Sequence, residues 1–144
     1  MAAYNKFQDF VEQLGLAEHN LNTDALHVYL SNTTPSASLD AVKADLAEIG
    51  AGNGYTADGI DTLNTYAEAA GTGTVTGTKA VWTCVTAAMA AFQYVVLMNF
   101  TNASPLKPLI GWWDYGSALT LQVGETFSVK FNGSDTTGTI LTIA

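Results

Sequence analysis

Apolar and polar positions along the chain follow two rhythms. Tyr4, Phe7, Phe10, Val11 and Leu14 recur at helical spacing, with Gln8, Asp9, Glu12 and Gln13 between them and Gly15 as a stop. This predicts a short amphipathic helix over residues 3–15. Its stripe either covers a sheet or docks on a neighbour, and the pattern leaves both open. Leu39, Val42, Leu46 and Ile49 repeat the rhythm behind Ser38, a capping residue, and ahead of Gly50, predicting a second helix.

The remaining apolar positions follow the period of a strand. Leu26, Val28 and Leu30 alternate with His27 and Tyr29, as in a half-buried strand. Lys79 to Val85 reads as another. From Phe92 to Phe100 nearly every residue is apolar, too short a run to span a bilayer as a helix, and it predicts a strand buried on both faces. Leu106 to Tyr115 follows as its antiparallel neighbour. Ala118 to Val123 and Thr126 to Phe131 read as a hairpin around Gly124-Glu125, and Thr139 to Ile143 as the last strand. Turn formers mark Asn20–Asp24, Ser31–Ser38, Ala51–Gly59 and Asn132-Gly133. Ile60 to Thr78 dissolves into Ala, Gly and Thr, either a flexible excursion or a short edge hairpin. About seven strands without a βαβ rhythm predict a mainly β fold: an antiparallel β-sandwich, jelly-roll-like, with one or two short N-terminal helices. Residues 1–20 would form an N-terminal helix or arm and 21–144 a single β domain.

Composition sharpens this picture. Only 12% of the 144 residues are charged while 48% are hydrophobic, which points to surface covered by partners rather than by a charged coat. The formal charge of −8 lies in the first half, and the chain has five lysines and no arginine. Nucleic acid is therefore not an expected ligand. No basic segment followed by an apolar stretch opens the chain, so no signal peptide is expected, and neither is a membrane segment.

Candidate chemistry is sparse. Cys84 is alone and sits in an apolar strand, which predicts a buried, inert thiol. His19 and His27 stand in unrelated contexts and read as solvated side chains. Gly52 to Gly59, GNGYTADG, is glycine-rich but lacks the Gly-Lys-Ser/Thr of a phosphate loop, and Asp58 and Asp61 lack the ladder of a calcium loop. No Gly-x-Ser-x-Gly elbow occurs, and Asp114 with Glu125 is a weak carboxylate pair. The expectation is no enzyme and no cofactor or metal. Trp112-Trp113-Asp114-Tyr115 is the surface candidate: adjacent residues of a strand point to opposite faces, so one Trp enters the core while the other, with Tyr115, is free to stack on a sugar or anchor a protein.

The succession of Asp24-x-Leu26, GNGYTADG, Val81-Trp82-Thr83, Gln93-Tyr94-Val95-Val96 and Lys107-Pro-Leu-Ile-Gly-Trp-Trp-Asp-Tyr-Gly116 resembles a family of small virion structural proteins of tailed bacteriophages. The likeness runs over roughly residues 4–144, and GYTADG and PLIGWWDYG are its most specific parts. It departs at Phe92-Gln93, where the family tends to carry a basic residue, and in the additional turn residues Ser134 to Thr137. The resemblance implies a capsid cement (decoration) protein, made in the host cytoplasm and residing on the capsid surface of the virion. Its partners would be the major capsid protein and further copies of itself, as dimer or trimer. Tyr4, Phe7, Phe10 and Val11 are the expected docking face, with Trp112, Trp113 and Tyr115 as second candidates. A phage tail or baseplate structural protein, or a carbohydrate-binding module, are the alternatives.

Overall fold

Ten strands, one α-helix and two short 3-10 turns make up the described part of the chain, residues 2–144 of a computed structural model. In chain order these are β1 (Asn5–Lys6), α1 (Asp9–Gly15), β2 (Leu26–Ser31), β3 (Ile60–Asp61), β4 (Thr65–Ala69), β5 (Thr72–Thr78), β6 (Ala80–Thr83), β7 (Phe92–Asn99), β8 (Leu109–Leu119), β9 (Thr126–Val129) and β10 (Thr137–Ile143). The fold is mainly β and every strand pairing is antiparallel. The sheets are open and three in number: β1-β8-β7-β2-β3, β10-β5-β4 and β6-β9.

The apolar run Phe92–Asn99 lies at the middle of the five-stranded sheet, between β8 and β2. Side chains alternate across a strand, so a strand apolar at every position needs cover on both sides. One face of the sheet carries Val28, Leu30, Val95, Leu97 and Trp113 into a core shared with Val75, Trp82, Val129 and Leu141 of the smaller sheets. The other presents Tyr29, Val96, Met98 and Leu109 to Phe7 and Leu46. β2 is buried on both faces as well, rather than half-buried as its alternation suggests, because Tyr29 packs into this second cluster and donates from its hydroxyl to the Leu46 carbonyl (3.1 Å).

Three expected elements take other forms. The predicted N-terminal helix starts only at Asp9, since Asn5 and Lys6 pair with Trp112 and Gly111 as an edge strand. The second helix is absent apart from one 3-10 turn at Lys43–Asp45. Leu39 is exposed, while Leu46 and Ile49 enter different core clusters; the helical spacing serves an irregular strap laid across the sheet. Asp45 accepts from the Ala41 and Val42 amides (3.0 Å each), and Val42 bridges Pro108, so this backbone is satisfied without helical bonds. The hairpin expected around Gly124-Glu125 is also not formed. Leu119 ends β8 opposite Phe92, and β9 pairs with β6, Phe127 facing Trp82. Ile60 to Thr78 does contain an edge hairpin, β4–β5.

Gly54 and Gly59 show why the loop before β3 is glycine-rich. Both have positive φ, +100° and +69°, and a Cβ at either would lie 1.9 Å from a backbone carbonyl oxygen, of Thr83 and Val28 respectively. Gly116 has nearly the same φ as Gly54, +98°, with nothing within 4 Å. Gly116→Ala is expected to cost about 1 kcal/mol, the conformational term alone, and Gly54→Ala at least about 3 kcal/mol, since backbone must move as well. Urea denaturation of the two variants checks this; equal losses would remove the packing account.

Candidate functional site

GYTADG and KPLIGWWDYG, far apart in sequence, meet at one carboxylate. Asp58 Oδ1 accepts from Lys43 Nζ (2.7 Å) and Lys107 Nζ (2.8 Å), and Lys43 also reaches Glu48 Oε2 (2.6 Å). Glu48 in turn accepts from the Tyr55 hydroxyl (2.6 Å) and the Asp58 amide (2.7 Å) through Oε1. Hydrogen bonds from Lys107 and then Lys43 hold the Asp58 carboxyl below its ordinary range. Burial pulls the Lys43 ammonium down, but its bonds to Asp58 and Glu48 outweigh that and raise it. Both partners thus shift toward the charged pair. His27 donates from Nδ1 to the Asp58 carbonyl (3.0 Å) and stacks on Phe100 with centroids 4.2 Å apart, and Lys107 Nζ lies over the same Phe100 ring, 4.7 Å from its centroid. Two acids facing two lysines leave no net charge to attract a ligand. This is a clasp: it fixes the glycine loop and the start of β8 onto the irregular strap.

The expected docking residues separate. Phe7 is fully buried, its ring 4.5 Å from that of Trp112, and Phe10 is buried 5.2 Å from His19. Tyr4 is half-buried beside Trp113, donates to the Ile110 carbonyl (3.3 Å), and its phenol is pushed up by burial. Of the N-terminal set only Val11, 53% exposed, points outward; Leu16, just past the C-terminal end of the helix, is exposed as well. The tryptophans do take opposite faces, Trp113 in the main core and Trp112 half-buried against the second cluster. Tyr115 is 55% exposed, its ring edge-on to Phe127 at 5.8 Å. Tyr115, Phe127, Val95, Val129 and Trp113 line an open groove of about 490 Å³ between β8 and β9, with Asp114 and Lys130 at its margins. Asp114 Oδ1 is occupied by Gln93 Nε2 (3.0 Å) and the Gly116 amide (2.7 Å).

His19, expected to be solvated, is instead 6% exposed in a polar network. Asn99 Oδ1 accepts from the Thr101 and Asn102 amides (3.0 and 3.1 Å), which orients its amide group. Asn99 Nδ2 therefore donates, to Asp24 Oδ2 (2.7 Å) and to His19 Nδ1 (3.2 Å). The imidazole must be neutral to accept there, and its Nε2 has no partner. These partners lie up to 80 positions apart, so no local pattern signals them. Cys84 is buried as expected, its thiol donating to the Ala87 carbonyl (3.0 Å). Among the described residues no three His, Cys, Asp or Glu side chains cluster to hold a metal ion, and no helix is long and apolar enough to cross a membrane.

Two measurements test these assignments. Burial, set against the opposing charges of Asp24, Asp9 and Glu18, lowers the His19 pKa below 6.5. The unfolded chain then binds the proton more readily, so stability is lost as pH falls below about 6.5. Urea midpoints at pH 7.5 and 5.5 are expected to differ for the wild type and to converge in His19→Gln; an unchanged difference overturns the assignment. In the clasp, Asp58→Ala leaves Lys107 without its carboxylate and Lys43 with Glu48 alone, whereas Lys107→Ala removes one of the two donors to Asp58. The expected losses are about 2–3 and about 1 kcal/mol, read from the same denaturation experiment.

Comparison of the chain with family models, with curated proteins and with solved structures gives no match in any of the three, so the reading of its role rests on its own residues.

Proposed function

We propose that the protein is a non-catalytic structural component of a tailed-bacteriophage virion: a cement (decoration) protein that binds the outer surface of the major capsid protein shell. The observation that carries this reading is the surface itself. Leu16, Leu39, Leu63, Leu106, Val85 and Val123 are all more than half exposed on a chain with few charges. Apolar side chains held out in water on that scale suit a protein that works by contact. Val81, Thr83 and Val85 alternate outward along β6 and its continuation, and Val123 adjoins them through the bond from the Gly124 amide to the Cys84 carbonyl (2.9 Å). We assign the main docking patch to this β6 surface, with Val11 and Leu16 as a second. Antiparallel sheets sharing one core, tied down by the Asp58 clasp, give such a module the stiffness to brace a lattice, and many copies multiply a modest affinity.

The groove beside Tyr115 favours a second reading, a carbohydrate-binding module, because aromatic walls with polar margins suit the faces and hydroxyls of a sugar. A tail or baseplate component would differ from the cement protein only by its place in the particle.

Deleting the N-terminal twenty residues would remove Phe7 and Phe10 from the core, so surface variants are the informative ones. Co-sedimentation with expanded capsids lacking the protein is expected to show saturable binding by the wild type. Val85→Glu with Val123→Glu should weaken it at least about tenfold, roughly 1.4 kcal/mol, and Tyr115→Ala should leave it intact. Absence of wild-type binding would move the protein to the tail. Retention on a glycan array, lost in Tyr115→Ala, would favour the module.

A further inference from the structure

β4 is a strand without cover. All five residues, Thr65 to Ala69, are exposed, although the strand is paired in regular register with β5. The hairpin closes through Ala70-Gly71, with φ of 52° and 82° at the two loop positions, a twisted two-residue turn that makes Ala69 and Thr72 a hydrogen-bonded pair. Pairs of this kind alternate along an antiparallel ladder. Thr65, Ala67 and Ala69 therefore spend their backbone groups on β5, while Tyr66 and Glu68 turn theirs outward. The side-chain amide of Asn22, itself exposed, confirms the direction: its Oδ1 accepts from the Tyr66 amide at a long 3.3 Å.

An edge of this kind is usually guarded by lysine, proline, a bulge or an inward charge. β4 has no lysine or proline, and its register with β5 contains no bulge. Its single charge, Glu68, is turned back on its own hairpin, where Oε1 accepts from the Gly71 amide (2.7 Å). The face beside it is equally free of charge. Cross-strand pairs Thr65–Thr76, Thr74–Thr142 and Thr78–Thr137 fill it, the first joined by a hydroxyl contact of 2.8 Å.

We propose that β4 is a self-association edge, pairing antiparallel with β4 of a second copy about a two-fold axis at Ala67. The strand is self-complementary, and charge selects the register. About Ala67, Glu68 of each copy faces Tyr66 of the other, Thr65 faces Ala69, and Ala67 meets its own symmetry mate. A two-fold at Glu68 would set two carboxylates directly opposite, which is destabilising. A two-fold at Tyr66 would push Glu68 past the end of the strand against Asn64. The Ala67 register forms hydrogen-bonded pairs from the outward groups of Tyr66 and Glu68, with the exposed Asn22 side chain giving up its bond to the Tyr66 amide. It joins two three-stranded sheets into one of six strands with a continuous uncharged Thr face. Five residues a side is small beside the ~800 Å² per partner of a standard interface, so the free pair is weak, with Kd between about 10 µM and 1 mM. It would close mainly where copies are crowded. The pairing does not depend on the virion reading.

Position 67 offers a direct test, because its exposed side chain sits on the axis and its backbone bonds run to β5. Sedimentation velocity of the wild type from about 5 µM to about 1 mM should show a rise toward dimer across the stated Kd range. Ala67→Lys and Ala67→Glu, each placing like charges opposite, should both remain monomeric with unchanged circular dichroism. An equimolar mixture of the two should dimerise at least about tenfold more tightly than either alone, since opposite charges then face each other. A wild type that stays monomeric throughout, single variants that associate as the wild type does, or a mixture that stays monomeric would each overturn the proposal.

Discussion

Everything in this fold answers to the two-sided burial of β7. A strand apolar at Tyr94, Val95, Val96, Leu97 and Met98 cannot lie at a solvent face, so the sheet around it must be covered twice. The two smaller sheets provide one cover. The other comes from a stretch with little regular structure, together with Phe7. An irregular chain pressed on a core has to find partners for its backbone, because buried amides and carbonyls without them are costly. That demand explains the density of side-chain anchors there. Ser31 donates to the Ala47 carbonyl (2.6 Å), Tyr29 to that of Leu46, Asp45 takes two amides, and the Ile49 amide reaches the Leu30 carbonyl (3.0 Å). The Asp58 clasp is the same device at larger scale, using charge to hold loops where neither helix nor sheet does so.

The clasp also decides where the net charge shows. Lys43 and Lys107 are drawn into it, and Lys79 and Lys130 both approach Asp135, at 4.0 and 2.6 Å. Lys6 is the lysine left outside these groups, while most of the acids remain uncompensated. Copies of the protein thus repel one another over much of their surface. Contact between them, or with any acidic partner, would be favoured at patches of low charge, such as the Thr face and the β4 edge, whose one acid is Glu68.

Legibility from sequence followed range of interaction. β7 and β8 could be read directly, because an unbroken apolar run and the alternation of Trp112 and Trp113 are local signals. The strap over residues 38–49 could not: Leu39, Val42, Leu46 and Ile49 satisfy a helical spacing by coincidence, and what holds them extended is Pro108 and Asp45 rather than their own propensities. The supposed hairpin around Gly124 failed for a related reason. Its turn is real, with the Glu125 amide bonded to the Gln122 carbonyl (2.9 Å), but β9 finds a better partner in β6, where Trp82 and Phe127 stack. His19 read as solvated because nothing nearby predicts Asn99. TGTVTGT read equally as a flexible excursion or an edge hairpin; the hairpin forms, and its register with β10 turns the threonines into rows.

The same physics bears on which residues are free to act. Phe7 and Phe10 looked like docking groups because a helix of unknown setting exposes its apolar stripe to any partner, and here the partner is the chain's own sheet. What the core does not consume is a better guide than what is most apolar. Val11, Leu16, Val85, Val123 and Tyr115 stay outside after both faces of the sheet have been covered, although each is hydrophobic enough to have been taken in. A scaffold this thoroughly braced gains nothing from leaving them in water. On the proposed reading, a second surface would cover the valines and leucine among them, and in a lattice, where every weak contact recurs, small uncharged patches would suffice.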